Sequence, residues 1–269
     1  MLLFTIPHSG EKIPEMAPWL KSLEPQVLMC DVDRYVDQLY EKTLSEFKIP
    51  FVKTEWHRYA ADLNRIPEDV DANSVVGSVN PKGAQDRGFH WVKTTHGESI
   101  LGTPMSFQNH QQLVELIYKP FHLSIENISK NLIKTYGVIY HIDVHSMPGR
   151  GTAMHRDPGE DRADIVISDQ LQKSCSPQFR DLVIAAYVTA GFKVGYNWPY
   201  LGGRVTEQYG NPKKNHHTLQ VELNRKLYMD EESKEKLTTF PKVQAQLKQA
   251  VEYITMGLDA MNSQSENKK

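Results

Sequence analysis

Ile139-Tyr140-His141-Ile142-Asp143-Val144-His145-Ser146-Met147-Pro148 is the stretch that decides the fold. Side chains of an extended chain alternate between faces, so His141, Asp143 and His145 share one face while Ile142 and Val144 share the other. A central strand of an α/β sheet is normally apolar on both faces. Three ionisable groups on one face are costly unless they are paired or bind something. His145, the last of them before the Ser-Met-Pro exit, is a candidate ligand. His141, deeper in the strand, is assigned a structural role, and Asp143 can orient a ligand histidine. The competing reading is a hydrogen-bonded His–Asp pair at a strand end.

On both sides of this stretch, short β-branched or aromatic runs alternate with long amphipathic ones. Strands are expected at 2–6, 51–54, 137–144, 164–168, 193–196 and 217–223, and helices at 32–47, 108–135, 178–190 and 234–261. Pro120 lies inside the second helical stretch, which predicts a kink or two shorter helices. The alternation argues for an α/β fold with a largely parallel or mixed sheet, in which ligands sit beyond the carboxyl ends of the strands. One domain is expected over 1–262, followed by a frayed polar tail over 263–269.

Composition bounds the function. The 269 residues carry 31 Lys+Arg against 33 Asp+Glu, a net charge of −2. No basic footprint marks a nucleic-acid or anionic-membrane partner. The longest nearly apolar stretch, 182–192, falls short of the roughly 20 residues that cross a bilayer. Two cysteines make neither a disulfide framework nor a four-thiolate site. With no signal peptide visible after Met1, a soluble cytoplasmic enzyme is expected. The 11 histidines are the one compositional hint, and they matter only where they cluster beside carboxylates.

The strand ends supply such clusters. The first strand runs into Pro7-His8-Ser9-Gly10-Glu11, where His8 and Glu11 can converge on one zinc ion or be a turn histidine with a solvent-facing acid. Asp31-Val32-Asp33 opens a helical stretch; one of the two acids is expected to cap it, which leaves Asp33 as a competing metal ligand to Glu11. In Thr218-Leu219-Gln220-Val221-Glu222, Glu222 faces with Thr218 and Gln220 and is a candidate general base, unless Arg225 simply neutralises it. Segment 57–67 gathers Arg58, Asp62, Asn64 and Arg65, whose guanidinium forks suit a carboxylate or an oxyanion; the alternative is an Asp62–Arg65 surface pair. Residues 201–210 resemble a glycine-flanked loop presenting polar groups, with no helix following and no Lys-Ser/Thr phosphate signature.

Taken in order, Pro-His-Ser-Gly, Asp-x-Asp, Arg58 with Asp62-Leu63-Asn64-Arg65, Asp143-x-His145-Ser146, and Gly202-Gly203-x-x-Thr206…Tyr209-Gly210…His217-x-x-Gln220-x-Glu222-Leu223 resemble the N-formylglutamate amidohydrolase family across about residues 5–230. That family is related to zinc carboxypeptidases and aspartoacylases. The resemblance implies a three-layer α/β/α fold with a central mixed sheet. It also implies zinc-dependent hydrolysis of N-formyl-L-glutamate, a histidine-degradation intermediate, or of another small acidic N-acyl amino acid. It makes His8 and His145 zinc ligands, with Asp33 as the third ligand and Glu11 as the alternative. Glu222 becomes the base and Arg58 the group that polarises the amide carbonyl. Asn64 and Arg65 would hold a substrate carboxylate, with Arg204, Thr206, Tyr209 and His217 as further pocket residues. Rival readings are a peptidase or peptidoglycan amidase on the same sheet, and a non-catalytic carboxylate-binding homologue.

Overall fold

The computed structural model describes residues 1–79 and 86–266. Its six strands form one sheet in the order β2-β1-β3-β6-β4-β5. They are β1 (Leu2–Ile6), β2 (Phe51–Lys53), β3 (Ile139–Met147), β4 (Ile165–Ser168), β5 (Val194–Tyr196) and β6 (His216–Asn224). The first four in spatial order run parallel, and β4 lies antiparallel to β6 and parallel to β5. The expected α/β class with a mixed sheet is what the chain adopts.

Seven α-helices accompany the sheet: α1 (Pro25–Leu28), α2 (Val36–Glu46), α3 (Phe107–Leu113), α4 (Lys119–Tyr136), α5 (Pro177–Thr189), α6 (Arg204–Tyr209) and α7 (Phe240–Glu266). On one face, Ile142, Val144, Leu219 and Val221 pack against Leu39 of α2, Val183 of α5 and Ile254 of α7. On the other, Leu3 and Ile139 join Leu113 of α3, Ile125 of α4 and Val205 of α6. Each fully buried Leu, Ile or Val stabilises the fold by roughly 1.5–3 kcal/mol. Among the described residues no helix is long and apolar enough to cross a membrane.

Four departures from the sequence-based reading have local causes. First, β3 continues past Val144 to Met147, because its ladder with β6 extends to the Met147–Asn224 pair. Second, α2 begins at Val36 rather than 32. Tyr35 is left-handed (φ 68°) and breaks the helical path, and neither Asp31 nor Asp33 caps it. Third, α3 and α4 are separate and joined by a π-helical turn at Val114–Tyr118. Pro120 lacks the N–H that would reach back one turn, so the ladder shifts just before it. Fourth, a helix does follow Gly203: α6 fills most of the segment expected to be an open loop. At the C-terminus α7 continues to Glu266, into the segment expected to fray, and 267–269 lie outside the described residues.

Candidate active site

The carboxyl ends of β1, β3 and β6 lie side by side, and the register sets His145 directly opposite Glu222. His8 stands two residues past β1. The turn that carries it can pass tightly against the chain after β2 because Gly10 has no side chain: a Cβ there would fall 2.4 Å from the Glu55 backbone. His8, Asp33, His145 and Glu222 are all buried, at the floor of a cavity of about 650 Å³. That volume suits a small metabolite.

Three donor atoms converge there. Nδ1 of His145 lies 3.1 Å from Nδ1 of His8 and 3.2 Å from Oδ2 of Asp33, while His8 Nδ1 is 3.5 Å from the same oxygen. The far nitrogen of each ring points at a different carboxylate: His8 Nε2 donates to Asp62 Oδ1 (2.8 Å) and His145 Nε2 to Asp143 Oδ2 (2.7 Å). An ionised carboxylate only accepts, so each Nε2 carries the proton and each Nδ1 of a neutral ring turns a lone pair toward the other. Two facing lone pairs beside an anionic oxygen repel unless a proton or a cation lies among them. Burial, which would lower the His145 pKa, is outweighed by Asp143 and Asp33, which raise it well above the usual imidazole range. The same cluster holds Asp33 and Asp62 well below the ordinary carboxylate range. Burial opposes this, but the histidines in their protonated form and the charge of Arg58 dominate. Two imidazoles, one carboxylate and carboxylate-backed rings are the donor set of a divalent zinc-type centre. The residues present fit such an ion.

Asp33 is held from behind. Its Oδ1 accepts from Ser146 Oγ and from Arg225 Nη2, both at 3.1 Å, and Arg225 also donates to the Cys30 carbonyl at 2.9 Å. Glu11, the alternative ligand, is exposed and instead bonds Arg34 Nε at 2.8 Å. Glu222 accepts from Gln220 Nε2 at 2.7 Å, and Gln220 Oε1 in turn accepts from Gly203 N at 2.7 Å. Burial is the main reason that the Glu222 carboxyl is raised to about 7. A carboxyl titrating there can exchange protons at neutral pH.

Arg58 reaches the cavity with its Nη2 on Asp62 Oδ2 (2.9 Å) and its Nη1 on the Asp31 carbonyl (2.8 Å), stacked over Trp91. Its Nε has no partner. Asn64 and Arg65 line the same cavity. Asn64 Oδ1 accepts from Val205 N at 2.9 Å and packs so closely on Gly203 that a Cβ there would lie 1.9 Å from its amide.

Four other candidates do not line the cavity. Arg204 pairs with Glu207 on α6, and Thr206 is buried with its hydroxyl unpartnered. The Tyr209 hydroxyl bonds His122 Nδ1 at 2.8 Å. His217 lies on the opposite face of β6 from Glu222, stacked on Tyr140, where its Nδ1 accepts from Ser176 N. Sequence reasoning passed over Asp62, Arg225 and Gln220. A surface pair with Arg65 and neutralisation of Glu222 are the alternatives the sequence offers for Asp62 and Arg225, while Gln220 enters only by its face and, like Asp62, as a member of the family motif, with no role of its own. Its same-face spacing from Glu222 was the one available signal.

The N-formylglutamate amidohydrolase family pattern matches residues 1–229. N-formylglutamate deformylase of Pseudomonas putida is 26% identical over 233 residues, covering 86% of this chain and 82% of that protein. The enzyme of the same name from Pseudomonas aeruginosa is 25% identical over 236 residues, covering 86% and 83%. Among solved structures, N-formylglutamate amidohydrolase from Ralstonia eutropha superposes with a TM-score of 0.87 at 24% identity, covering 97% of this chain and 94% of that one. A gene product of Agrobacterium tumefaciens superposes at 0.72 with 16% identity, covering 97% and 91%.

Proposed function

The chain belongs to the N-formylglutamate amidohydrolase family, and on that footing we propose that it hydrolyses N-formyl-L-glutamate, or a related N-acyl amino acid, to the free acid and the amino acid. His8, Asp33 and His145 would hold one zinc ion. The observation that carries this reading is the convergence of two imidazole Nδ1 atoms and one carboxylate oxygen beside Glu222. When bound, the ion supplies Lewis acidity toward a carbonyl oxygen and makes hydroxide available near neutral pH.

The chain's own groups then divide the work. Glu222 takes the proton from the attacking water and returns it to the leaving amine as the C–N bond breaks. Burial at a pKa of about 7 supports both transfers. Arg58, fixed by Asp62 and stacked on Trp91, directs its charge toward the tetrahedral oxyanion. One such contact is typically worth roughly 3–4 kcal/mol. Asn64 and Arg65 hold a substrate carboxylate at the rim.

Metal analysis of the purified protein, followed by turnover of N-formyl-L-glutamate, N-acetyl-L-aspartate and short peptides, tests the reading. About one zinc per chain with hydrolysis of the formylated or acetylated acid is expected. Faster cleavage of peptides favours a peptidase. A metal-replete protein inert to every N-acyl amino acid would overturn the amidohydrolase reading in favour of carboxylate binding alone.

A further inference from the structure

The cavity wall carries five carboxylates and five guanidinium groups, but they are not paired one to one. Its carboxylates are engaged: Asp31 by the Tyr59 hydroxyl and Thr95, Asp157 by two bonds from Arg162, and Asp86 by Lys93. Arg58 and Arg225, the two deep guanidinium groups, are answered by Asp62 and Asp33.

Among the described residues, three cavity-lining guanidinium groups, Arg65, Arg87 and Arg156, make no ion pair with a carboxylate, and Arg156 is stacked over Trp198. Arg65 donates from Nε to the Arg87 carbonyl (3.1 Å) and from Nη1 to the Asn64 carbonyl (2.9 Å). Among the described residues, the Arg87 side chain donates from Nη2 to the Met154 carbonyl at 3.4 Å. Main-chain carbonyls orient a guanidinium group without cancelling its charge. Arg65 is also tied to the segment that carries Arg87, whose main-chain carbonyl it bonds. Two guanidinium forks on one cavity wall, hydrogen-bonded to main-chain carbonyls and not to carboxylates, match a ligand with two carboxylates. Arg204, the second cation expected from the sequence, is answered by Glu207 instead.

We propose that Arg87 is the specificity-determining residue for an acidic side chain, holding the side-chain carboxylate while Arg65 with Asn64 holds the α-carboxylate. This rests on the amidohydrolase reading for the identity of the substrate, but not for the binding preference. Glutamate and its neutral isostere glutamine separate the two ends of the ligand.

The test uses calorimetric binding of L-glutamate and L-glutamine to the metal-loaded protein, beside kcat/KM for their N-formyl derivatives. The unmodified protein should prefer the acid about tenfold or more by both measures. Arg87→Met should bring the two ligands within about twofold, with glutamine binding unchanged, and Arg87→Lys should restore part of the preference. Arg65→Met should weaken both ligands alike. A preference that survives Arg87→Met, or that disappears in Arg65→Met instead, overturns the assignment. Selective glutamate binding without hydrolysis of any N-acyl amino acid would defeat the amidohydrolase reading and leave the clamp standing. Equal hydrolysis of the two formyl derivatives would do the reverse.

Discussion

His141 and His145 occupy the same face of the same strand, four residues apart, and behave as opposites. Both rings are buried. His145 has carboxylates on both nitrogens, Asp143 at Nε2 and Asp33 at Nδ1, and its pKa is driven well above the ordinary value. His141 has only the Thr5 hydroxyl at Nε2 and no partner at Nδ1, and burial lowers it to about 4. Asp143 stands between the two rings, giving Oδ2 to His145 and Oδ1 to Thr5. The lesson is that what faces its second nitrogen decides whether an imidazole on a buried strand joins a cluster able to hold a metal ion. The strand position alone does not decide it.

The comparison breaks hardest at Asp33, the carboxylate that His145 has and His141 lacks. Asp33→Asn removes the anion on which both Nδ1 atoms converge and leaves Arg225 with a buried charge answered only by neutral acceptors. Loss of a ligand at such a centre removes several kcal/mol of transition-state stabilisation, so activity should fall roughly 10⁴-fold. Bound zinc, measured by plasma mass spectrometry after dialysis, should fall with it. Retained stoichiometric zinc would exclude Asp33 as the third ligand. Glu11→Gln is the control, and it should leave both measures near the unmodified values because Glu11 is engaged by Arg34.

Glu222 is next in size. It faces His145 across the β3–β6 ladder, yet it bonds Gln220 and not a histidine. Glu222→Gln should lower kcat about 10²–10³-fold with zinc retained, the scale of a lost general base. The pH profile adds a sign. The base acts only when ionised, so kcat/KM should fall tenfold per unit on the acid side of its pKa. Burial places that limb near 7, and a neighbouring cation stabilises the carboxylate, so about 7 is its upper bound. Loss of zinc in the Glu222→Gln protein would move this residue from base to ligand.

How much of this was written in the sequence follows from the range of each interaction. The sequence pattern places strands at 137–144 and 217–223, which the structure sets at Ile139–Met147 and His216–Asn224, and the period-2 alternation assigns His141, Asp143 and His145 to one face. The same rule sets His217 opposite to Glu222, against the pocket role that the family resemblance implies for it. Asp62 and Arg225 escaped because their partners are distant in sequence. His8 is 54 residues from Asp62, and Asp33 is 192 residues from Arg225. Glu11 and Asp33 could not be separated by spacing, since either lies within reach of His8. The Arg34–Glu11 pair and the gathering of Asp33 with His8 and His145 favour Asp33, and neither has a sequence signature.

The smallest effect tests whether the two histidines are independent at all. Thr5 donates its hydroxyl hydrogen to Asp143 at 2.5 Å, so its lone pair must accept from His141 Nε2–H at 2.8 Å. The four groups therefore form one chain from His145 to His141. Thr5→Val keeps the shape and cuts the chain in the middle, leaving one buried imidazole N–H and one carboxylate oxygen without this partner. The cost to stability should be about 1–3 kcal/mol, measured by denaturant unfolding. Zinc affinity should fall less than tenfold, because Asp143 keeps its bond to His145. Removing Asp143 itself, an outer partner of a ligand, typically costs 10–100-fold. Equal losses of zinc in Thr5→Val and Asp143→Asn would mean that the orientation of His145 depends on the whole chain. His141 would then belong to the metal centre through three hydrogen bonds, and the contrast between the two rings would be one of distance and not of kind.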